Sequence, residues 1–259
     1  MSDITKKDPP PFPTKLDFSS MRQGIGLPGM NLSSPSSQIQ FMFDLTVSMF
    51  SCFEIVRQKL TEIIDDVSKY SPGVEFAVSA YRNHGDENNY EQIVYLTKLS
   101  NDVQELHKAI SKIKKGGGGN DALTCMEDAL HETNKQAWNS KCAKSLVIIG
   151  DMPPHGVIDK KDKCPNKIDY EIELAGLREK KIKIYSVFCG HNPQVKTFYE
   201  KIANDSGGKF LQIAEIDILV DLLKGICLKG NNKLTVFLKE NEKMLPTRTA
   251  RLLLDLDKQ

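Results

Sequence analysis

Five side chains in this sequence offer oxygen donors at places where the chain changes direction. In the run Q-I-Q-F-M-F-D-L-T-V-S, residues 38–48, an apolar stretch with Ile39, Phe41, Met42 and Phe43 stops at Asp44, and two hydroxyls follow at every second position, Thr46 and Ser48. Thr124 stands at the start of a helical pattern, and Asp151 closes the apolar run S-L-V-I-I-G. Carboxylates and hydroxyls without nitrogen or sulfur form an oxygen-only set. Such a set suits a hard cation, Mg²⁺, with Mn²⁺ or Ca²⁺ as substitutes. The same residues have plainer uses: Thr46 and Ser48 could cap the following helix, Thr124 the next one, and Asp44 could hold backbone amides.

The elements around them follow from periodicity. After the first strand, Phe53, Val56, Leu60, Ile63, Ile64 and Val67 recur at helical spacing to about Tyr70, with Ser71-Pro72-Gly73 as the stop. Residues 74–81 predict a second strand and 92–96 a third, joined by the turn-prone R-N-H-G-D-E-N-N as an antiparallel edge hairpin. Asn101 or Asp102 caps a helix carrying Val103, Leu106, Ile110 and Ile113, which the glycine run 116–119 ends. A helix over 124–138 leads to a strand over 145–150, of the continuous apolar kind that parallel sheets bury on both faces. Pro153-Pro154-His155-Gly156 and a charged insertion through Asn166 precede a helix over 168–180 and a strand over 183–189. Asn192 caps a helix with Pro193 at its first position, a strand over 209–213 follows Gly207-Gly208, and a last helix carries Ile216, Leu219, Val220, Leu223 and Ile226.

This alternation predicts an α/β fold. Its centre is a doubly wound, mostly parallel sheet with one antiparallel edge strand and helices on both faces. Ligands of such sheets bind outside the carboxyl ends of the strands, where the five oxygen-bearing residues fall. The domain spans residues 37–228. Residues 1–36 form a disordered Pro/Ser-rich arm, and residues 229–259 an extension of unknown packing.

Composition narrows the function. Among 259 residues, 35 basic side chains face 34 acidic ones, so no global field attracts nucleic acid or an anionic membrane. The N-terminus has no apolar signal region and no apolar run reaches about 18 residues, which points to a soluble, cytoplasmic protein. Six cysteines lie far apart without C-x-x-C spacing, arguing against a zinc cluster and for reduced thiols. The glycine run lacks the G-x-x-x-x-G-K-[ST] pattern of a phosphate cradle and serves as a hinge for Thr124. His155 shapes the loop after Pro154 rather than acting as a general base, His84 and Asp86 lie in a solvated turn, and Cys125 and Cys189 are small core residues.

The motifs D-L-T-V-S, Thr124 five residues ahead of Ala129-Leu130, and Asp151 at the end of an apolar strand together resemble the von Willebrand factor type A domain with its metal-ion-dependent adhesion site. Threonine stands here in place of the first serine of the D-x-S-x-S pattern. The stretches A-Y-R-N-H-G-D-E and I-I-G-D-M-P-P-H-G look like the intracellular subgroup attached to alpha-kinases. About thirty residues follow the last helix, so kinase activity is not expected. The resemblance implies that Thr46, Ser48 and Thr124 touch the cation directly, while Asp44 and Asp151 act through water or by holding hydroxyls, with Asp121 a competitor of Thr124. It implies also that the last helix shifts as the metal loop rearranges. The expected function is a non-enzymatic, metal-dependent interaction module binding an Asp or Glu of a protein partner. The alternative is a scaffold subunit with a vestigial site, contacted through its terminal extensions; oligomeric state is left open.

Overall fold

The computed structural model describes residues 37–71, 73–86, 92–114 and 123–212, with the single residues Gly225, Leu238 and Leu254. The arm 1–36, the glycine run 116–119, Asp121, the last predicted helix and the C-terminal extension lie outside the described residues, those three positions excepted.

Six strands form one sheet in the order β3-β2-β1-β4-β5-β6. They are β1 (Ser37–Asp44), β2 (Val74–Tyr81), β3 (Val94–Leu96), β4 (Ala143–Gly150), β5 (Ile182–Phe188) and β6 (Phe210–Gln212). All neighbours pair in parallel except β2 and β3, the antiparallel edge hairpin expected from the sequence. The chain leaves β1 to one side through β2 and returns to its other side through β4. Strand order therefore reverses between β1 and β4, and their carboxyl ends flank the crevice where such sheets place ligands.

Alternation along the strands separates two apolar layers. Ile39, Phe41 and Phe43 of β1 and Val74, Phe76, Val78 and Ala80 of β2 pack against α1 (Phe50–Tyr70) and α2 (Val103–Lys112). Met42, Leu146, Ile148, Ile182 and Ile184 face α3 (Met126–Lys135), α4 (Tyr170–Glu179) and α5 (Pro193–Asp205). Leu238 is buried in the first layer, so the C-terminal extension contributes a side chain to the core at that position.

Packing rather than capping holds the helix after β1. No side chain caps α1, a loss of about 1 kcal/mol, whereas its six-residue apolar stripe from Phe53 to Val67 is buried at about 1.5–3 kcal/mol per side chain. Three other helices are capped by side chains, two of them where the sequence places a cap. Asp102 accepts from the Gln104 and Glu105 amides, Asp169 from Glu171, and Asn192 from Gln194 and Val195 with Pro193 next in the chain. A buried polar bridge docks α3: Gln40 Nε2 of β1 donates to Thr133 Oγ1 at 2.7 Å and Ser79 Oγ of β2 at 3.0 Å.

Candidate metal centres at the carboxyl edge of the sheet

Asp44 is the last residue of β1, and its side chain is buried. The Thr46 amide donates to Asp44 Oδ1 at 2.8 Å, folding the chain back so that a short 3-10 turn, Val47–Met49, can lead into α1. Thr46 Oγ1 and Ser48 Oγ are hydrogen-bonded at 3.1 Å, and Ser48 Oγ donates to Asp151 Oδ1 at 3.0 Å. Asp151 directly follows β4, the neighbour of β1, so parallel pairing is what carries it to this place. Thr124 is fully buried, forms an isolated parallel bridge with Pro154 and donates from Oγ1 to the Pro153 carbonyl at 3.3 Å.

Four of the five sequence-predicted residues thus lie in one hydrogen-bonded chain, and Thr124 is held on the loop that carries Asp151. Among the described hydrogen bonds none joins Thr124 to the other four directly. Helix capping does not occupy these hydroxyls: neither Thr46 nor Cys125, the residues preceding the 3-10 turn and α3, makes a side-chain cap bond. Holding a backbone amide does occupy one oxygen of Asp44.

Burial disfavours the charged form of both carboxyls in the group. Burial pushes the Asp44 carboxyl up to about 7 against the opposing bonds from Thr46, with Asp151 adding to the rise. Burial likewise raises Asp151, and the bond from Ser48 opposes it. Asp44 Oδ2 is buried with no hydrogen-bond partner, a lone acceptor of the kind native structures seldom leave unsatisfied. Beneath it, Gly150 keeps β4 close: a Cβ there would stand 2.6 Å from Tyr199 Oη and 3.1 Å from Asp44 Cβ. An all-oxygen donor set with an unsatisfied carboxylate oxygen fits Mg²⁺ or a similar hard ion.

A second group gathers around the first turn of α3, just after Thr124 in the chain. The turn after β2, expected to be solvated, is buried, with His84 at 6% and Asp86 at 0% exposure. His84 Nε2 stands 3.2 Å from Asp128 Oδ2 and 3.7 Å from Glu127 Oε1, both in the first turn of α3. Cys164, from the β4–α4 loop, places Sγ 3.6 Å from His84 Nε2 and 3.5 Å from Asp128 Oδ2. His155 Nδ1 meets Glu127 Oε1 at 2.5 Å, and Asn166 Nδ2 donates to Asp128 Oδ1 at 2.6 Å. Burial opposes the charged form of His84, but hydrogen bonds to Asp128, Cys125 and Glu127 outweigh it and raise its pKa. Burial would also raise Glu127, yet bonds from His155 and His84 bring it down to about 2.

His84, Glu127, Asp128 and Cys164 can each offer an atom within 4.8 Å of the others, a grouping capable of holding a metal ion. Sequence reasoning missed Glu127, Asp128 and Cys164 as functional residues. The absence of C-x-x-C spacing argued against a zinc cluster, but these groups come from three segments and no spacing rule joins them. His155 does shape its loop, through Glu127. Cys125 is a buried core residue as expected, and Cys189 is half-buried against the first apolar layer.

Among solved structures, the chain is similar to the pilus adhesin SpaC from Lactobacillus rhamnosus GG in its open conformation, with a TM-score of 0.56 and 11% identity over 76% of this chain and 30% of the adhesin. A second crystal form of the same adhesin gives a TM-score of 0.54 and 13% identity, over 76% and 31% of the two chains. The chain therefore spans about a third of the adhesin's length, and at this identity the likeness is one of fold. Comparison with curated protein sequences gave no match. The model of the von Willebrand factor type A domain family matches residues 38–224, from the first residues of β1 to beyond the last described strand, and the chain belongs to that family.

Proposed function

We propose that this chain is a non-enzymatic interaction module that binds a protein partner through a divalent cation, Mg²⁺ in the first place, held by Asp44, Thr46, Ser48, Thr124 and Asp151. The observation that carries the reading is the chain Thr46–Ser48–Asp151 drawn across the β1/β4 crevice beside an unsatisfied Asp44 Oδ2. Hydroxyls of Thr46, Ser48 and Thr124 supply neutral oxygens. Asp44 and Asp151 orient them and compensate part of the charge. An ion so held retains enough charge to take an Asp or Glu from a partner as a further ligand. Membership of a family known for protein interaction supports the reading.

His155 is buried and bonded to Glu127, which supports a positioning role over one as a general base. The motifs A-Y-R-N-H-G-D-E and I-I-G-D-M-P-P-H-G support placement near the alpha-kinase-associated subgroup. A cytoplasmic setting agrees with the free thiols of Cys52, Cys125, Cys142, Cys164 and Cys189. Among the described residues no helix is long and apolar enough to cross a membrane.

Calorimetric titration of Mg²⁺ into the wild type, Thr46→Ala and Thr124→Ala tests the donor set. A saturable heat in the wild type that both substitutions abolish is the expected result, and equal heats in all three overturn it.

A further inference from the structure

We propose that His84, Glu127, Asp128 and Cys164 form a second, separate metal site, closed and structural, that takes Zn²⁺. The donor types argue for this ion: imidazole and thiolate with carboxylate oxygens select a borderline transition metal over Mg²⁺ or Ca²⁺. The geometry argues more strongly. Zinc bonds of about 2.0–2.3 Å in a tetrahedron place ligand atoms roughly 3.3–3.7 Å apart. The observed separations are 3.2 Å for His84 Nε2 to Asp128 Oδ2, 3.5 Å for Cys164 Sγ to Asp128 Oδ2, 3.6 Å for Cys164 Sγ to His84 Nε2 and 3.7 Å for His84 Nε2 to Glu127 Oε1. Three of these separations fall within that range and the fourth lies just below it, so four of the six edges of a coordination tetrahedron are close to the required length.

An independent observation points to a ligand. Glu127 is 1% exposed, and its Oε2 is buried without a hydrogen-bond partner. His84 lies between the two buried carboxylates, and a bound ion would take over the charge that its proton supplies there. The supports of a metal shell are also present. His155 Nδ1 holds Glu127 and Asn166 Nδ2 holds Asp128, the outer hydrogen bonds that fix ligand orientation at metal sites.

On binding, the Cys164 S–H and His84 Nε2–H bonds break, S–Zn and N–Zn bonds form, and both protons leave to solvent. The ion would tie the turn after β2, the first turn of α3 and the long loop between β4 and α4 into one unit. Thr124 precedes that helix turn by two residues, and Asp151 begins that loop. The zinc site thus fixes the seats of two oxygen donors without sharing a ligand with them, and it stands or falls independently of the Mg²⁺ reading.

The test uses the full chain, stripped with a chelator and reloaded with Zn²⁺ or with Co²⁺ as a spectroscopic stand-in. Wild type is expected to retain one zinc per chain after dialysis and, with Co²⁺, to show thiolate-to-metal charge-transfer absorption. Cys164→Ser should lose that absorption and weaken Zn²⁺ binding by about 100-fold, and Asn166→Ala should weaken it by about 10-fold. Should Cys164→Ser not fold, Asp128→Asn serves in its place, with the same expected loss of zinc affinity. Thr46→Ala should keep the zinc signal unchanged while losing the Mg²⁺ heat, which separates failure of one site from failure of the other. A folded wild type that neither retains zinc nor shows the absorption overturns the proposal. So does absorption that persists undiminished in Cys164→Ser, or full zinc affinity in Asp128→Asn.

Discussion

Ser48 Oγ donates to Asp151 Oδ1 at 3.0 Å across 103 residues of chain, tying the loop after β1 to the loop after β4 over the point where strand order reverses. The bond opposes the rise that burial imposes on Asp151. Ser48 is exposed, so Ser48→Ala should change folding stability by no more than about 0.5 kcal/mol. Mg²⁺ affinity should fall by at least about 10-fold, since Ser48 is a direct donor in the proposed site and loss of even an outer-shell partner costs that much. Calorimetry and denaturant unfolding on the same preparation check both halves.

Gln40 has the opposite profile. It is fully buried in the central strand and bonded to Thr133 of α3 and Ser79 of β2. Gln40→Ala removes two buried hydrogen bonds and leaves a cavity, at a cost of about 2–4 kcal/mol. Urea unfolding should show the loss as a lower midpoint with an unchanged slope. A loss under about 1 kcal/mol would mean that the bridge does not dock α3.

The frame was legible because its signals are local. The stop at Asp44, the caps Asp102 and Asn192 and the edge hairpin follow from pattern and turn chemistry alone. Asp44, Thr46 and Ser48 lie within five residues of one another, and Asp151 was placed by recognising β4 as a buried parallel strand. The His84 cluster was illegible for the converse reason. His84 sits in R-N-H-G-D, which polar composition makes look solvated, yet Asn83 Nδ2 donates to the Leu123 carbonyl at 2.8 Å and draws the turn inward. Glu127 and Asp128 sit where acids usually complement a helix dipole in solvent, and only the tertiary fold buries them against Cys164.

Gly208 offers a stability test remote from both groups. A Cβ at this position would stand 1.9 Å from the Ile184 carbonyl oxygen, which is backbone of β5 and cannot rotate away. Gly208→Ala should cost about 3 kcal/mol or more, at the upper end of overpacking effects. Thermal unfolding followed by circular dichroism measures it. A wild-type midpoint would show that β5 and the Gly208 turn do not approach as described.

Asp44→Asn separates the cost of a buried carboxylate from its use. The Asp44 carboxyl rises from 3.8 to about 7 in the folded chain, with burial the main cause. Between those values the native state binds more protons than the unfolded state, so without metal this group's contribution to stability is complete below about pH 3.8 and is lost as pH rises through 7. The amide keeps an acceptor for the Thr46 N–H and carries no charge. The variant in chelator should therefore lack this component of the pH dependence and be the more stable protein at pH 8. Mg²⁺ should narrow the gap, since at about 100 times the dissociation constant a ligand adds about 2.7 kcal/mol to the form that binds it, and the variant should gain nothing. Urea unfolding from pH 4 to pH 8, with chelator and with Mg²⁺, measures both effects. Matching pH profiles for the two proteins in chelator would mean that Asp44 is not a buried acid, and an equal Mg²⁺ gain would remove it from the metal site.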